Sequence, residues 1–294
     1  MAARMLYLHA LSPVHTGTGQ AVDVIDLPVA RERTTNWPYI PGSSIKGVLR
    51  DLCRRPGVPD GKGSPVWQAF GPDTANASDG AGQLIFGDGR LLCLPVRSLH
   101  GTFAWLSCPL ALARYARDHA AAGLPAPATS GADKVADDHI ALPAATAAIA
   151  SGNTVYLEDL DLAVDVVPNL APLTDAIGRA ALADEEWHSL FAARFGVVSD
   201  TTFTFLAETA TVVTARIKLD DDTKTVATGA LWYEEAIPAE SIFSTPLLAM
   251  GRNGSDSAAL FELLAAPLAG VAQIGGNASV GRGLMKLRLV GAQP

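Results

Sequence analysis

The feature that most constrains the fold is the irregular interleaving of short strand-like runs with helical runs along the chain. Residues 5–10 (MLYLHA) form a continuous apolar run that is typical of a buried first strand. Later strand-like runs cover 83–96, 102–107, 154–167, 211–219, 226–233 and the end of the chain, and helical runs cover 109–122, 173–195, 200–208 and 257–264. This order predicts an α+β fold with an antiparallel sheet rather than a doubly wound parallel sheet.

One pair of strand-like runs predicts a β-hairpin. Residues 211–219 and 226–233 are β-rich and are joined by the polar turn DDDTKT. The hairpin ends on Trp232, Tyr233, Glu234 and Glu235, which we interpret as packing residues followed by a charged edge.

Composition and cysteine usage indicate a globular chain of the cytoplasm. Its 294 residues suffice for one large or two small domains, and 49% of them are hydrophobic. No apolar run reaches the roughly 18 residues that a membrane span needs, and the N-terminus is too short and broken for a signal peptide. Cys53, Cys93 and Cys108 fit neither a disulfide framework nor a zinc site. We therefore expect a cytoplasmic protein with no membrane partner.

The charge is unevenly distributed. The net charge of -8 argues against a nucleic-acid partner when taken alone. Yet residues 31–62 carry seven basic residues against three acids, residues 282–288 carry three basic residues and no acid, and residues 133–165 carry seven acids and one lysine. An acidic chain of this kind can still offer a basic groove to phosphates if its two basic segments meet in the fold.

The stretch YIPGSSIKGVLRD, residues 39–51, predicts a helix that begins at Ser43 or Ser44 as N-cap, with an apolar face at helical spacing. Lys46, Arg50 and Arg54 lie four residues apart and form a basic stripe on another face. A helix N-terminus with small residues and a nearby lysine can bind an anion. An ordinary helix cap with a solvated basic face explains the same residues. The stretch is not a Walker A loop, because the order G-x-x-x-x-G-K-[ST] is absent.

A second candidate is GGNASVGRG, residues 275–283, which combines four glycines and an arginine. Its backbone N–H groups can form a nest against a phosphate chain. A glycine-rich turn before an edge strand is the alternative, and the spacing does not match a dinucleotide-binding loop.

Two acidic candidates lie in AVDVIDLPVARER. Asp23 and Asp26 are three residues apart in an extended stretch, so their side chains should face opposite sides. A lone carboxylate in a positive groove can hold a metal ion or assist proton transfer, although most surface aspartates do neither. His15, in a loop after the first strand, can contact RNA or move protons, or serve only as a polar loop residue.

The order of several segments resembles one family. SPVHTGTGQ, DVIDLPVARERTTNWPYIPGSSIKGVLRD, LPVRSLHGTFAWLSCPLAL, ATGALWYEEAIP and QIGGNASVGRG follow one another over nearly the whole chain. This order is similar to that of the repeated backbone subunits of Cmr, the type III-B CRISPR effector, within the RAMP superfamily. The resemblance implies a single domain over 1–294, with an RRM-like or ferredoxin-like palm, helical insertions and a β-hairpin thumb. We assign the thumb to 211–235, while the loops at 56–82 and 124–138 compete for the role.

The resemblance also implies a function. Such subunits stack head to tail along the CRISPR RNA beside other type III effector subunits, and they cut complementary single-stranded target RNA at regular intervals. Cutting needs Mg²⁺ or another divalent metal. Two alternatives are a non-cleaving subunit that only binds the guide and the equivalent subunit of the type III-A complex.

The resemblance assigns roles to particular residues. The family's cleaving aspartate matches Asp26, which is followed by Leu27-Pro28, and Asp23 does not align with it. Asp26 would orient the attacking 2'-OH or bind the metal, and His15 is a second catalytic candidate. The guide RNA would contact Gly42, Ser43, Ser44, Lys46, Arg50, Gly275, Gly276, Asn277 and Arg282, with the glycine loop packed beside the helix.

Overall fold

One large sheet organises the chain in the computed structural model, which describes residues 2–19, 25–55, 57–144, 147–220, 222, 225–251 and 257–291. The strands are β1 (Ala2–Ala10), β2 (Tyr39–Ile40), β3 (Leu84–Phe86), β4 (Gly89–Arg97), β5 (Phe103–Ser107), β6 (His139–Leu142), β7 (Thr154–Leu157), β8 (Leu160–Val166), β9 (Phe195–Val198), β10 (Val212–Leu219), β11 (Val226–Ala236), β12 (Ile242–Ala249), β13 (Val271–Gln273) and β14 (Leu284–Val290). The α-helices are α1 (Gly42–Cys53), α2 (Pro65–Phe70), α3 (Pro109–Ala121), α4 (Ala171–Ala181), α5 (Glu185–Ala192), α6 (Asp200–Thr209) and α7 (Ser257–Ala269).

The main path of this sheet has the strand order β13-β14-β1-β12-β4-β5-β9-β6-β8-β7, with β2 attached to β4 and β3 attached to β12. Most neighbouring strands are antiparallel, including both partners of β1. Two pairs, β5–β9 and β6–β8, are parallel. The predicted α+β fold is confirmed, and the two parallel pairs make the sheet mixed.

Both faces of the sheet are covered, and strand β1 shows how. Leu6 and Leu8 belong to the apolar cluster that includes residues of α1, α2 and α7. Met5 and Tyr7 belong to the cluster on the opposite face, with residues of α3, α4 and α5. A strand that is buried on both faces reads as a continuous apolar run, which is why MLYLHA is unbroken by charged residues.

Helix α1 confirms the predicted helix but corrects its cap. Ile45 and Leu49 are buried on the predicted apolar face. The N-cap residue is Pro41, and its side chain accepts no hydrogen bond, so the predicted serine cap is wrong. The Oδ1 atom of Asp88, which follows β3, accepts a hydrogen bond from the N–H of Gly42 at 2.8 Å instead. A carboxylate from elsewhere in the chain therefore caps this helix.

Strands β10 and β11 form a separate two-stranded sheet, which confirms the predicted hairpin. Its residues alternate between two faces, and Val213, Ile217, Leu231 and Tyr233 share one of them. Each of these four side chains is exposed by about half. An isolated two-stranded hairpin is only marginally stable in water, so contacts at the end where this hairpin meets the large sheet must stabilise it.

Other segments differ from the sequence predictions. The 56–82 loop contains α2 and a short 3-10 helix, Thr74–Asp79, whereas 124–138 has no regular element. The single strand predicted at 154–167 is the pair β7 and β8, and the helical run at 173–195 is α4, α5 and the start of β9. Helix α6 is capped by Ser199, whose side chain accepts from the Thr202 N–H.

Two further observations concern the length of the helices and the state of the cysteines. None of the helices in the described ranges is long and apolar enough to cross a membrane. Cys53, Cys93 and Cys108 are free thiols, and all three are buried.

Candidate nucleic-acid interface

Several chain segments meet where the β10–β11 hairpin joins the sheet. They are the turn at 12–17, the extended segment at 25–31 and the glycine loop at 275–283. All three contact residues 232–235 near the end of β11, which we call the hairpin root. All three segments carry site residues predicted from sequence, and they lie around residues 232–235, to which the sequence analysis gave no role in the site.

Asp26 is half-buried and bound to the hairpin root. Its Oδ2 atom accepts a hydrogen bond from the backbone N–H of Tyr233 at 2.8 Å. The next residue pairs with the same strand, since Leu27 N–H donates to Tyr233 O at 3.1 Å and Glu235 N–H donates to Leu27 O at 3.0 Å. Asp26 thus lies beside the base of the exposed hairpin. Asp23 lies outside the described residues.

His15 is buried beneath the glycine loop, with 9% of its surface exposed. Its Nδ1 atom lies 2.7 Å from the carbonyl oxygen of Glu235. Because a carbonyl oxygen only accepts, Nδ1 carries a proton and the Nε2 of the neutral ring is left as an acceptor. A Cβ at Gly17 would lie 2.7 Å from that Nε2, so a side chain there would displace the His15 ring. The predicted loop histidine is in fact packed into the structure.

Two polar side chains of the glycine loop, Asn277 and Arg282, turn inward. Asn277 adopts a left-handed conformation with φ 61°, and its Nδ2 donates to Oε2 of Glu234 at 3.2 Å. Arg282 is buried, and its Nη2 donates to Oγ1 of Thr214 on β10 at 3.2 Å. The Nη1 atom of Arg282 is buried and has no hydrogen-bond partner within the described part of the chain. These two side chains bind the hairpin rather than pointing outward as a guide-binding role would suggest.

The two glycines at the start of the loop face solvent. Gly275 and Gly276 are exposed, and Gly276 N–H donates to His15 O at 2.8 Å. Gly275 has φ +95°, and a Cβ there would collide with the His15 carbonyl oxygen. Glycine is therefore required for the loop to lie against the 12–17 turn.

Glu234 is the centre of the hairpin root. Its carboxylate accepts hydrogen bonds from Trp232 Nε1 at 3.0 Å, from Arg216 Nε at 3.2 Å and from Asn277 Nδ2 at 3.2 Å. Burial alone raises the pKa of a carboxyl, but the hydrogen bonds from Trp232 and Arg216 outweigh it and lower the pKa of Glu234. Glu234 is therefore an ionised, buried acid rather than part of a charged edge.

Glu235 holds the other side of the root. It is 2% exposed, and its Oε1 accepts from Arg31 Nη2 at 2.5 Å while its Oε2 accepts from the Val29 N–H at 3.0 Å. Arg31, which the sequence placed in a basic segment, is thus used inside the protein. The pair fixes the segment that carries Asp26.

The start of helix α1 is a tight contact. A Cβ built on Gly42 would lie 2.7 Å from Phe86 O and 2.8 Å from Gly87 O. The glycine is therefore explained by packing, and its N–H is already bound by Asp88. Ser43 is exposed, and Ser44 is half-buried.

The predicted basic stripe on α1 is incomplete. Lys46 is half-buried and has no ion-pair partner among the described residues. Arg50 is only 15% exposed, and its Nη2 lies 2.8 Å from Asp73. Arg54 also binds Asp73, at 2.6 Å. Both arginines therefore pair with the loop after α2, and a contact of Arg50 with RNA stays a prediction.

Helix α1 and the glycine loop are connected through the 12–17 turn. Thr16 Oγ1 donates to Tyr39 O at 3.1 Å, two residues before Pro41, while His15 O accepts from Gly276 N–H. The turn therefore links the two predicted guide-binding segments, whose direct packing stays a prediction.

Comparison with known proteins identifies the family. The sequence profile of the RAMP superfamily matches residues 7–286. The chain is also 35% identical over 292 residues to the "CRISPR system Cmr endoribonuclease Cmr4" of Pyrococcus furiosus, covering 98% of this chain and 96% of the relative. The chain belongs to the RAMP superfamily. The resemblance inferred from the segment order is confirmed.

Solved structures agree with this assignment. The crystal structure of oligomeric Cmr4 from Pyrococcus furiosus matches this RAMP chain with a TM-score of 0.78 and 28% identity, covering 100% of both chains. A second Cmr4 crystal structure matches with a TM-score of 0.74 and 26% identity, covering 99% of this chain and 100% of the other. A cryo-EM structure of the type III-B Cmr-beta bound to cognate target RNA matches with a TM-score of 0.75 over 98% and 97% of the chains, and at 21% identity it shows the fold alone.

The described residues of this RAMP chain do not form a metal site by themselves. The described residues contain no group of three or more His, Cys, Asp or Glu side chains that could hold an ion. Asp26 contributes one carboxylate, and one of its oxygens already accepts from Tyr233 N–H. A divalent ion would need its other ligands from elsewhere.

Sequence reasoning missed the hairpin root. Glu234 and Glu235 are next to each other, yet both are buried and bind partners far along the chain, Asn277 and Arg31. The local sequence carried no signal for this, because charged side chains are ordinary at an exposed strand edge.

Proposed function

We propose that this RAMP chain is the repeated backbone subunit of a type III-B CRISPR effector, that it binds CRISPR RNA, and that it cuts target RNA complementary to the guide. Its similarity to a Cmr endoribonuclease over 98% of the chain supports the proposal. Neighbouring copies would stack head to tail, beside other effector subunits, by a heterologous contact. A cytoplasmic location belongs to the same proposal.

The observation that carries the cleavage role is the position of Asp26. Its carboxylate is bound to the base of a hairpin whose apolar face is exposed. A hairpin that enters the guide–target duplex would displace a nucleotide, and Asp26 would then lie next to the distorted phosphate. Unpaired geometry allows in-line attack, so positioning supplies much of the rate.

The proposed reaction is attack by the neighbouring 2'-OH of the target. The 2'-oxygen forms a bond to phosphorus as the bond to the 5'-oxygen breaks, and the 2'-proton is removed while the 5'-oxygen gains one. The products are a 2',3'-cyclic phosphate and a 5'-hydroxyl. Asp26 would accept or orient the 2'-proton. His15 is a second candidate, through Nε2, and must become accessible when RNA binds.

The guide would be held by its backbone. Ser43, Ser44 and Lys46 at the start of α1 and the exposed backbone of Gly275 and Gly276 offer donors and one cation. Such contacts fix position, while base pairing reads the sequence. Gly42, Arg50, Asn277 and Arg282 would support these contacts from inside the protein.

Dependence on Mg²⁺ or another divalent metal remains part of the proposal. Asp26 is the residue that would contribute a carboxylate oxygen to the ion. Because the described residues do not complete a site around it, we derive no step through the metal. Cleavage assays with magnesium and with a chelator test this point.

The burial of His15 favours a second candidate function. The Nδ1 atom of His15 is bound to Glu235 O, and its ring is buried. The 12–17 turn therefore offers Asp26 no exposed histidine as a partner in proton transfer. In that case the chain would bind guide and target RNA as a scaffold without cutting.

The experiment that separates the two is target cleavage by the reconstituted complex. Wild type, Asp26→Ala and Asp23→Ala are compared with magnesium, and guide and target binding are measured for each. Regularly spaced cuts that disappear only with Asp26→Ala support the nuclease. A wild-type complex that binds both RNAs and never cuts supports the scaffold.

A further inference from the structure

A groove lies at one end of the large sheet, along the outer side of strand β14. Its volume is about 560 Å³. Phe261, Ala265 and Leu268 of helix α7 line one wall, and Ala183, between α4 and α5, lines the other. Because α7 packs on one face of the sheet and α4 and α5 pack on the other, residues 286–289 of β14 form the floor. None of these residues belongs to the proposed RNA site.

The floor of the groove is a strand edge that is only partly paired. Strand β13 pairs with β14 over Leu284–Lys286, and no other described strand lies on that side of β14. The backbone of Leu284 points toward β1, because its carbonyl oxygen accepts from Leu11 N–H. Backbone groups alternate in direction along an antiparallel strand. The N–H and C=O groups of Leu287 and Leu289 therefore point outward, to the side on which β13 has ended.

The groove is positively charged. Arg4, Lys286 and Arg288 line it together with a single acid, Glu262. Arg4 lies over the ring of Phe261 at 4.6 Å. Lys286 Nζ donates to the carbonyl oxygen of the last residue of α7 at 2.6 Å, and Arg288 Nη1 donates to the carbonyl oxygen of the residue that caps the C-terminus of α4. These partners are a ring and two neutral carbonyl groups, so they leave the three charges unneutralised.

Charged side chains at a strand edge often serve only to keep other strands away. Here Lys286 and Arg288 reach sideways to the ends of the two helices instead of lying across the edge. They fasten the walls of the groove, and the space beside β14 stays open. The groove therefore offers a ligand both an unpaired strand edge and positive charge.

We propose that this groove is a docking site for an extended, acidic segment of another protein, which adds a strand to the outer edge of β14. The backbone of the segment pairs with Leu287 and Leu289, and its acidic side chains meet the cations. A peptide backbone matches this edge because it supplies donors and acceptors, whereas a phosphate chain supplies acceptors alone. A second copy of the chain is a poorer match, since its acid-rich strand β8 is already paired on both sides, with β6 and β7.

The test measures the binding of a labelled peptide to the full chain by fluorescence anisotropy and makes no use of cleavage. The probe is a nonapeptide of alternating valine and glutamate with capped ends. We expect saturable binding that weakens as the salt concentration rises, because salt screens the charges. Two further peptides carry an N-methyl group at every valine or at every glutamate. The one whose methyl groups face β14 should bind at least roughly 10-fold more weakly, because it loses several backbone hydrogen bonds.

Variants of the chain locate the binding. Ala265 is exposed and lines the groove, so Ala265→Trp places a large ring in it and should weaken binding at least roughly 10-fold. Ala266→Trp is the matched control, because Ala266 is the next residue of the same helix, is also exposed and does not line the groove. Its effect should be less than about twofold. Arg4→Gln should weaken binding and reduce its dependence on salt.

Each outcome decides the proposal. It is overturned if wild type shows no saturable binding up to about 1 mM peptide, if Ala265→Trp binds like Ala266→Trp, or if the two methylated peptides bind equally well. If Ala265→Trp does not fold, the methylated peptides and Arg4→Gln decide. Sedimentation velocity and binding of a labelled decauridylate test the other occupants. If Ala265→Trp, unlike Ala266→Trp, dissociates copies of the chain or weakens binding of this RNA, the groove belongs to that contact and the peptide assignment is wrong.

Discussion

Replacing Glu235 by alanine should destabilise the chain strongly. The change removes the carboxylate that accepts from Arg31 at 2.5 Å and from the Val29 N–H at 3.0 Å. A charged hydrogen bond contributes about 1.5–3 kcal/mol, and an unsatisfied buried N–H costs about 1–3 kcal/mol. We expect the free energy of unfolding to fall by about 3–5 kcal/mol, as for other broken buried ion pairs.

Urea denaturation of the isolated chain measures this loss. Glu235→Gln retains one acceptor, so its loss should be smaller, about 1–2 kcal/mol. Glu185→Ala is the control, because Glu185 pairs with Arg179 on the surface, where both side chains are more than half exposed. Its loss should be at most about 1 kcal/mol. If Glu235→Ala costs no more than this control, the hairpin root does not hold the 25–31 segment as the contacts indicate.

Three further predictions concern other parts of the structure. Tyr7→Phe removes a hydroxyl that lies 2.8 Å from both Tyr115 Oη and His119 Nε2, and thermal denaturation should show a loss of about 1–3 kcal/mol. Burial lowers the pKa of His119, so as the pH falls the unfolded chain binds this proton before the folded chain does. The contribution of His119 to the free energy of unfolding is therefore fully present above about pH 6.5 and is lost as the pH drops through the folded pKa. Urea denaturation between about pH 5 and 7.5 measures this loss. Ile217→Ser, on the hairpin face and 50% exposed, should change stability by less than about 0.5 kcal/mol while slowing target cleavage in the complex.

These predictions have separate controls. Tyr7→Phe with unchanged stability would mean that the buried hydroxyl chain contributes nothing. His119→Gln should flatten the pH dependence, and an unchanged slope assigns it to another group. A matched serine substitution at Val166, exposed by about half on β8, should leave cleavage unaffected. If Ile217→Ser also cuts at the wild-type rate, the hairpin face does not contact the RNA.

Local patterns in the sequence predict the elements whose residues contact near neighbours. Helix α1 follows from the spacing of Ile45 and Leu49, and the hairpin follows from two β-rich runs around a polar turn. Strand β12, a partner of β1 in the centre of the sheet, was not predicted. Its sequence IFSTPLLA contains polar residues and Pro246, which lower strand propensity, and only burial between neighbouring strands overrides this.

The site was less predictable because its partners are remote in sequence. Asp26 could be nominated from the family resemblance, but the contact with Tyr233 joins residues 207 positions apart. For Arg50 the sequence pattern was misleading. Its helical spacing predicted an exposed cation, but its side chain binds Asp73. Charge patterns along a helix do not show which cations are already paired.

The central claim is that the Asp26 carboxylate cuts the target, and Asp26→Asn tests it most directly. An asparagine oxygen can still accept from Tyr233 N–H, so the hairpin anchor is kept while the charge is lost. In the reconstituted complex, single-turnover cleavage should fall by about 10²- to 10⁴-fold, the usual contribution of a general acid–base group, with target binding retained. Regular cuts at the wild-type rate in Asp26→Asn would contradict the account.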